Sequence, residues 1–418
     1  MKEKLTSLTA VLYTPMLIYF VFFILISLVA IASATPVARI QYSGNFVFRQ
    51  IVFFAIGSLV AFVVMLFEIK WVRLLRWCVY LVFFILLVVI NRVGEIYPCN
   101  STPGMLVPCI NGANRWFNLP GFQIQPSEFM RIALILVVAD VIQKHNEKFL
   151  HEDRTFKTDL WLIIKSLMVI GPPLYLIYQQ PDTGITMLVL VTVAFMLITA
   201  GIKWTYILFA GAGAIFIAFT FINLLINDPE ILENLGILHE HHFPRLHGWL
   251  DPFGTISSYG RHLALGLTAM GSGGIFGNGF QSATLFFPEA HTDYIFAIIG
   301  MDFGMIGSTA VILVSLLFNF AVLNTAVLNR DHYNSHVCVG IAASLMAQQF
   351  WNISMILGIL PITGVTLPFI SHGGSSVLAS MIMLGLVLSS HVEGLTIKRH
   401  TTVYREDILY LEEKDVAV

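Results

Sequence analysis

The sequence predicts an all-α integral membrane protein, a polytopic bundle of about ten transmembrane helices with two long extracytoplasmic loops. Three observations predict it. The 418 residues are 57% hydrophobic and only 11% charged, where soluble chains run at about 45–50% and about 25%. The mean hydropathy is +0.80. The apolar residues also gather in runs of about 20, the length that crosses a hydrocarbon core. Disorder, coiled coil, collagen and a secreted mini-protein are excluded, and so is an ordinary soluble enzyme. A net charge of −2 argues against a nucleic-acid partner, which requires a basic face.

The runs fall at about 12–33, 49–67, 71–91, 126–143, 160–178, 182–200, 203–226, 293–323, 336–359 and 372–391. The first reads as a retained helix: its apolar run is too long for a cleaved signal peptide, despite the small residues Ala30, Ala32 and Ala34 at its end. Lys and Arg set the orientation. With both ends cytoplasmic, all but seven of the 23 positive residues lie inside; the seven are Arg39, Arg49, Arg92, Arg115, Arg131, Arg245 and Arg261. All seven are arginine, whose planar fork suits phosphate and carboxylate, although simple interfacial snorkelling is the alternative. Residues 1–392 thus form a ten-helix membrane domain and 393–418 a charged cytoplasmic tail. Lys144–Asp159 reads as a charged cytoplasmic loop.

The long outer loops run at about 91–125 and 227–292. Their Trp, Phe, Tyr, Gly and Pro content is not a disordered composition, so chemistry is expected on the outer face. Cys99 and Cys109 share the first loop and form a candidate disulfide. Cys78 and Cys338 fall inside spans and read as inert core. Asn100-Ser101-Thr102 matches a glycosylation acceptor.

Candidate residues follow along the chain. Ser127 and Glu128 sit where the fourth span needs an N-terminal cap and an acidic first turn. Arg131 lies one turn on and either pairs with Glu128 or points its fork at a phosphate. Asp182, in Gln180-Pro181-Asp182, caps the sixth span or acts in the site. In the second loop, Asp251 lies between Trp249 and Phe253; apolar neighbours would desolvate it toward a useful base, and an Asp-Pro turn is the plainer reading. Gly271, Gly273, Gly274, Gly277 and Gly279 miss the dinucleotide spacing and read as close backbone approach, in helix packing or a ligand cradle. Glu289, His291 and Asp293 would bind a metal, exchange protons, or cap the eighth span. His239–His242 reads as a solvated tract. Asp302 is a carboxylate inside a span, either structurally paired or functional. Pro361–Gly364 and Pro368–Ser376 permit non-helical backbone at membrane depth.

Five of these segments, in order, resemble the SEDS family of bacterial cell-wall polymerases, the RodA and FtsW group, with a balance more RodA-like than FtsW-like. They are NRWFNLPGFQIQPSEFMRIA, QQPDTG, the WLDP loop with AMGSGGIFGNG, FFPEAHTDYIFAIIG and NISMILGILPITGVTLPFISHGGSS, within about 115–376. The chain departs from the family pattern at Arg131 (usually Lys), at Met301-Asp302 (usually two glutamates), at Tyr259-Gly260-Arg261 and in the insertion Cys99–Cys109.

The resemblance implies an inverting peptidoglycan glycosyltransferase of the bacterial cytoplasmic membrane. It would polymerise lipid II into β-1,4-linked glycan at the outer face, for cell shape or division. Asp251 would be the general base. Arg115, Arg131, Arg245 and Arg261 would stabilise the lipid pyrophosphate leaving group, with Mg²⁺ or Mn²⁺ as a possible helper. Trp116, Gln125, Glu128, Asp182, Ser272, Glu289, His291, Asp293 and Ser371 complete the expected substrate-binding set. A class B penicillin-binding protein and membrane lipid are the expected partners. The rival readings are a lipid II flippase and a non-catalytic scaffold for that penicillin-binding protein.

Overall fold

The computed structural model describes residues 15–40, 44–96, 106–110, 112–119, 122–149, 154–227, 243–282, 288–329 and 331–416. Among them, ten long helices coincide one for one with the ten apolar runs. They are α1 (Pro15–Ala38), α2 (Phe46–Leu66), α3 (Ile69–Ile96), α4 (Pro126–Lys148), α5 (Phe156–Gln179), α6 (Thr183–Thr199), α7 (Trp204–Asn227), α10 (Ile295–Leu328), α11 (His332–Ile356) and α12 (Gly374–Val416). Two short helices, α8 (Phe243–Leu250) and α9 (Arg261–Ser272), lie in the second long loop.

Helices α4 and α11 form the centre. Helix α4 packs against α3, α5, α6, α11 and α12, and every residue from Pro126 to Asp140 is buried. The peripheral helices turn apolar side chains outward: Ile18, Phe22 and Leu25 of α1, and Leu59 and Phe62 of α2, are all exposed. In water such a surface would be a liability; against lipid tails it is the expected face. Among the described residues, six helices are long and apolar enough on their own to cross a membrane: α1, α2, α3, α5, α10 and the Gly374–Leu395 part of α12. Helix α6 has only 17 residues. Helices α4 and α11 carry Glu128, Arg131 and Asp140, or Gln348, Gln349 and Asn352, which protein rather than lipid surrounds.

Several expectations need correction. The bundle is not purely helical: β1 (Phe117–Leu119) and β2 (Phe122–Ile124) form an antiparallel hairpin with Phe117 opposite Ile124. Helix α4 runs on to Lys148 and α5 begins at Phe156, so the expected loop Lys144–Asp159 is mostly helix. Helix α12 continues through the expected tail. Cys338 is buried, but Cys78 is exposed on α3, because a span wall facing lipid is not core.

The glycine-rich segment has a specific structural use. Helix α10 is broken at Gly304, whose φ of 63° and ψ of −158° are non-helical. Met305 and Ile306 donate their amides to Gly274 O and Ile275 O, at 2.9 and 3.2 Å. In return Met301 O and Asp302 O accept from Asn278 and Gly279, at 3.0 and 3.1 Å. The segment after α9 is thus spliced into α10. A Cβ on Gly277, at φ 82°, would lie 2.2 Å from Asp302 O. Of the two sequence readings, this is packing by close backbone approach.

Candidate functional site

Polar groups gather at one end of the bundle. Helix α4 starts with Gln125 as N-cap and Pro126 in its first turn, a position where the missing proline N–H is harmless. Ser127 is therefore not the cap. Glu128 lies in the first turn, and Arg131, one turn deeper, is 1% exposed. Arg131 Nη2 donates to Glu128 at 2.9 Å and Nη1 to Gln348 Oε1 at 2.8 Å. The expected i, i+3 pair is present, and the outer nitrogens of the fork are engaged by protein. Gln348 in turn donates to Thr366 O at 3.1 Å, and Asn352 donates to Asp293 O and Val365 O at 2.8 and 2.6 Å. These two α11 amides satisfy the Val365 and Thr366 carbonyls of the non-helical segment 357–373, at the start of its largely buried stretch 365–371, which is what irregular backbone at membrane depth requires.

The hairpin supplies a second layer. Arg115 donates from Nε to Gln180 O at 3.0 Å and from Nη2 to Pro181 O at 2.8 Å; its guanidinium lies 5.8 Å from the Trp116 ring centre. It thus covers carbonyls at the C-terminus of α5, a favourable place for a cation. Asp182 caps α6 through Ile185 N at 3.4 Å, and its Oδ2 accepts from Gln125 Nε2 at 2.8 Å and Ser127 at 3.1 Å. Ser375 ties the hairpin to α12, donating to Gln123 O and accepting from Gln125 N.

The turn 288–294 brings the third layer. Glu289 adopts φ 56° and accepts from Thr292 Oγ1 at 2.9 Å. The N-cap of α10 is Tyr294, with no side-chain cap bond, so the capping reading of Glu289, His291 and Asp293 falls. Asp293 is half-buried. Burial first, and then the Glu289 and Asp182 carboxylates against the opposing pull of Arg115, push Asp293 up to about 7. His291 is buried and held below the usual imidazole range, with Glu289 opposing the shift. His372, beside it at 5.6 Å between ring centres, is held down to about 3 by burial, His291 and Arg49; its Nδ1 donates to Gln50 Oε1 at 3.0 Å. Among the described residues no group of three or more His, Cys, Asp or Glu could hold a metal ion. These residues alone supply no protein cage for Mg²⁺ or Mn²⁺, of which Mg²⁺ usually adds waters and substrate phosphates to one or two carboxylates.

Asp251 sits apart from this network. It follows α8, whose Trp249 donates from Nε1 to Gly358 O at 2.9 Å and so fixes the turn to the end of α11. Asp251 Oδ1 accepts from Gly254 N at 2.9 Å, which is the Asp-Pro turn geometry. The carboxylate is exposed, as are Phe253 and Tyr259. The expected covering of the acid by aromatic neighbours is therefore not met in this arrangement, because the acid and both rings are exposed.

The remaining candidates divide. Ser371 is buried, donates to Thr292 O and accepts from Leu367 N, both at 2.7 Å, so its hydroxyl holds the turn. Ser272 ends α9, donating to Ala269 O, and Arg261 is exposed at the start of α9. Asp302 accepts from Ser282 at 2.6 Å and from Ser33, a structural pairing. Cys109 is disulfide-bonded. Cys99, the acceptor Asn100–Thr102, the tract His239–His242 and the Arg245 side chain lie outside the described residues. Sequence reasoning missed Gln348, Asn352, Thr366 and Gln50. Their signal was present as three amides and a hydroxyl interrupting apolar runs, a pattern that marks interior-facing polar groups.

Fold and site together define a class: a polytopic membrane protein that gathers carboxylates, arginines and amides at one end of its bundle. The FtsW/RodA/SpoVE family model, described as Cell cycle protein, matches residues 13–394. The chain belongs to this family, the SEDS group. Stage V sporulation protein E of Bacillus subtilis is 30% identical over 87% of this chain and 92% of its own length. The probable peptidoglycan glycosyltransferase FtsW of Thiomicrospira cyclica is 34% identical over 70% of this chain and 72% of its own. In fold, a chain of a solved peptidoglycan synthase complex is similar with a TM-score of 0.71, at 23% identity, covering 91% of this chain and 97% of that one. The rod shape determining protein RodA of Thermus thermophilus follows with 0.61, at 22% identity, covering 90% and 95%.

Proposed function

We propose that this chain is a peptidoglycan glycosyltransferase that polymerises lipid II into β-1,4-linked glycan. Its site end faces outward from the cytoplasmic membrane, both termini lie inside, and all ten long helices span. The names of its FtsW relatives support the activity, and the bias of Lys and Arg supports the orientation. The observation that carries the reading is the convergence of Arg115, Asp182, the Glu289–Asp293 turn and the Asp251 turn on one end of the bundle.

In this reading Asp251 takes the proton of the acceptor hydroxyl. Its Oδ1 is oriented by the Gly254 amide, and Oδ2 is open to an incoming group. The acceptor oxygen attacks the anomeric carbon opposite the departing lipid pyrophosphate, which inverts that centre, as in single-displacement glycoside chemistry. Arg261, exposed at the start of α9, meets the developing charge, while Arg115 and Arg131, whose guanidinium nitrogens are engaged by protein, hold the wall of the site. A class B penicillin-binding protein supplies crosslinking.

One observation favours a second reading. Asp293, poised at about 7, has the value a general base works best at. The deciding experiment is lipid II polymerisation by purified protein with its co-expressed partner, with moenomycin present. Glycan from wild type but not from Asp251→Asn supports the first reading. Equal glycan from both transfers the role to Asp293 or Glu289. No glycan from either folded protein supports the flippase or scaffold reading.

A further inference from the structure

At the opposite end of α5 from Arg115 and Asp182, a cavity of about 470 Å³ opens between the end of α4 and the first turns of α5. Its walls are apolar, from Phe149, Leu160, Trp161 and Ile164, with Lys157 and Thr158 at its edge. Two more lysines stand over its aromatic walls. Lys148 Nζ lies 5.5 Å from the Phe149 ring centre and Lys165 Nζ 5.6 Å from that of Trp161. Lys157, Trp161 and Lys165 recur at i, i+4 and i+8, on one face of α5.

Among the described residues, the charge at this end is unevenly matched. The described acids are engaged elsewhere: Asp140 by Arg73, Arg76 and Lys144, Asp159 by Arg154 and the Lys203 amide, and Glu147 by Gln143. Among the described residues, Lys148, Lys157 and Lys165 enter no ion pair. Trp161 is 46% exposed and Leu160 41%, and the exposed Leu167 and Met168 continue the apolar track along α5. A ligand that satisfies both halves needs an anionic head and a long apolar tail.

We infer that the Phe149–Trp161 cavity binds one anionic phospholipid, its phosphate among Lys148, Lys157 and Lys165 and an acyl chain along Leu160 and Ile164. The lysine stems lie along apolar surface while their ammonium groups reach the headgroup level. Basic pockets between transmembrane helices on the cytoplasmic side recognise anionic headgroups in this way. The site lies on the face opposite to the polymerisation site, so it serves as a lipid anchor and not as a substrate subsite.

The test is native mass spectrometry of the full chain titrated with phosphatidylglycerol or phosphatidylcholine carrying identical acyl chains. One phosphatidylglycerol should be retained in preference to phosphatidylcholine. Each single Lys→Gln change at 148, 157 or 165 should weaken retention about five-fold, from roughly 1 kcal/mol per lysine, and the triple change should abolish the preference. Lys157→Arg should keep it, and an unchanged melting temperature shows that the variants are folded. Free glycerol phosphate should not displace the lipid; displacement would mean an anion site without a lipid role and overturn the proposal. Equal retention of the two lipids, or a preference that survives the triple change, overturns it as well. So does a preference seen only after deletion of residues 1–14, which would identify that segment as the occupant.

Discussion

Asp251 and Asp293 are two acids at the same end of one bundle, and they are held in opposite ways. Asp251 stands exposed on a turn between two short helices, with one oxygen on the Gly254 amide and one open. Asp293 stands half-buried in a turn whose backbone is held by Asn352 and Ser371, where burial first, and then the carboxylates beside it, push it up to about 7. The first can meet a substrate without any protein contact being broken. The second is bound up with the packing of α6, α10 and α11. An acid that must reach a bulky sugar needs access, and an acid that holds a turn needs partners. In the proposed reading, this difference gives the chemistry to Asp251 and leaves Asp293 to hold the turn.

The largest expected effect tests that assignment directly. Asp251→Asn keeps the oxygen that accepts from Gly254 and removes the base, so polymerisation should fall by about 10²- to 10⁴-fold while the melting temperature stays at the wild-type value. A rate within a factor of two of wild type breaks the comparison. Next, Arg131→Gln leaves Glu128 buried without its cation and should destabilise the protein by about 3–5 kcal/mol, read by thermal unfolding in detergent. A wild-type melting curve would mean that the buried half is less tightly held than its geometry shows.

A subtler change perturbs only the position of Asp251. A Cβ on Gly254 would lie 2.1 Å from Asp251 Oδ2, so Gly254→Ala should push the carboxylate aside. Polymerisation should drop by about 10- to 100-fold with little change in stability, measured by rate and melting temperature together. Asp293→Asn should leave polymerisation largely intact and change the pH dependence of stability. Because the folded value is raised from 3.8 to about 7, the contribution of Asp293 is fully present below about 4 and is lost as pH rises through about 7. Melting temperatures from pH 5 to 8 should therefore fall less steeply in the variant than in wild type. The smallest effect is Arg261→Gln, an exposed site expected to shift stability by no more than about 0.5 kcal/mol. Its polymerisation rate then isolates any purely electrostatic role.

The legible and illegible parts of the molecule separate for a physical reason. The ten helices were readable because lipid-facing walls such as Ile18–Phe22 or Leu59–Phe62 must be apolar throughout. Their ends were less so: α3 continues to Ile96 and α4 to Lys148, where charged side chains enter water while the backbone stays helical. The hairpin and the helices α8 and α9 were not seen at all, since short elements held by tertiary contacts leave little periodicity. Within the site, local pairs were readable: Glu128 with Arg131, and Asp182 at the start of α6. Long-range ones were not. Gln348 reaches Arg131 across 217 positions, and no spacing in the sequence announces it. Asp251 was readable as a residue but not in its exposure, which depends on where Phe253 and Tyr259 turn.

The burial of α4 and α11 has a consequence for how the chain is made. Each carries charged or amide groups whose partners lie elsewhere in the chain: Asp140 on Arg73 and Arg76, Arg131 on Gln348, Asn352 on Val365. A charged residue at the centre of an isolated helix disfavours membrane insertion by about 2.5–3.5 kcal/mol. Helix α4 thus meets the bilayer hundreds of residues before Gln348 is synthesised, with Arg131 supported only by Glu128 one turn away. With all ten long helices spanning, as proposed, insertion of the central helices is completed only when α11 arrives, and chains ending before α11 should be held by the insertion machinery or degraded.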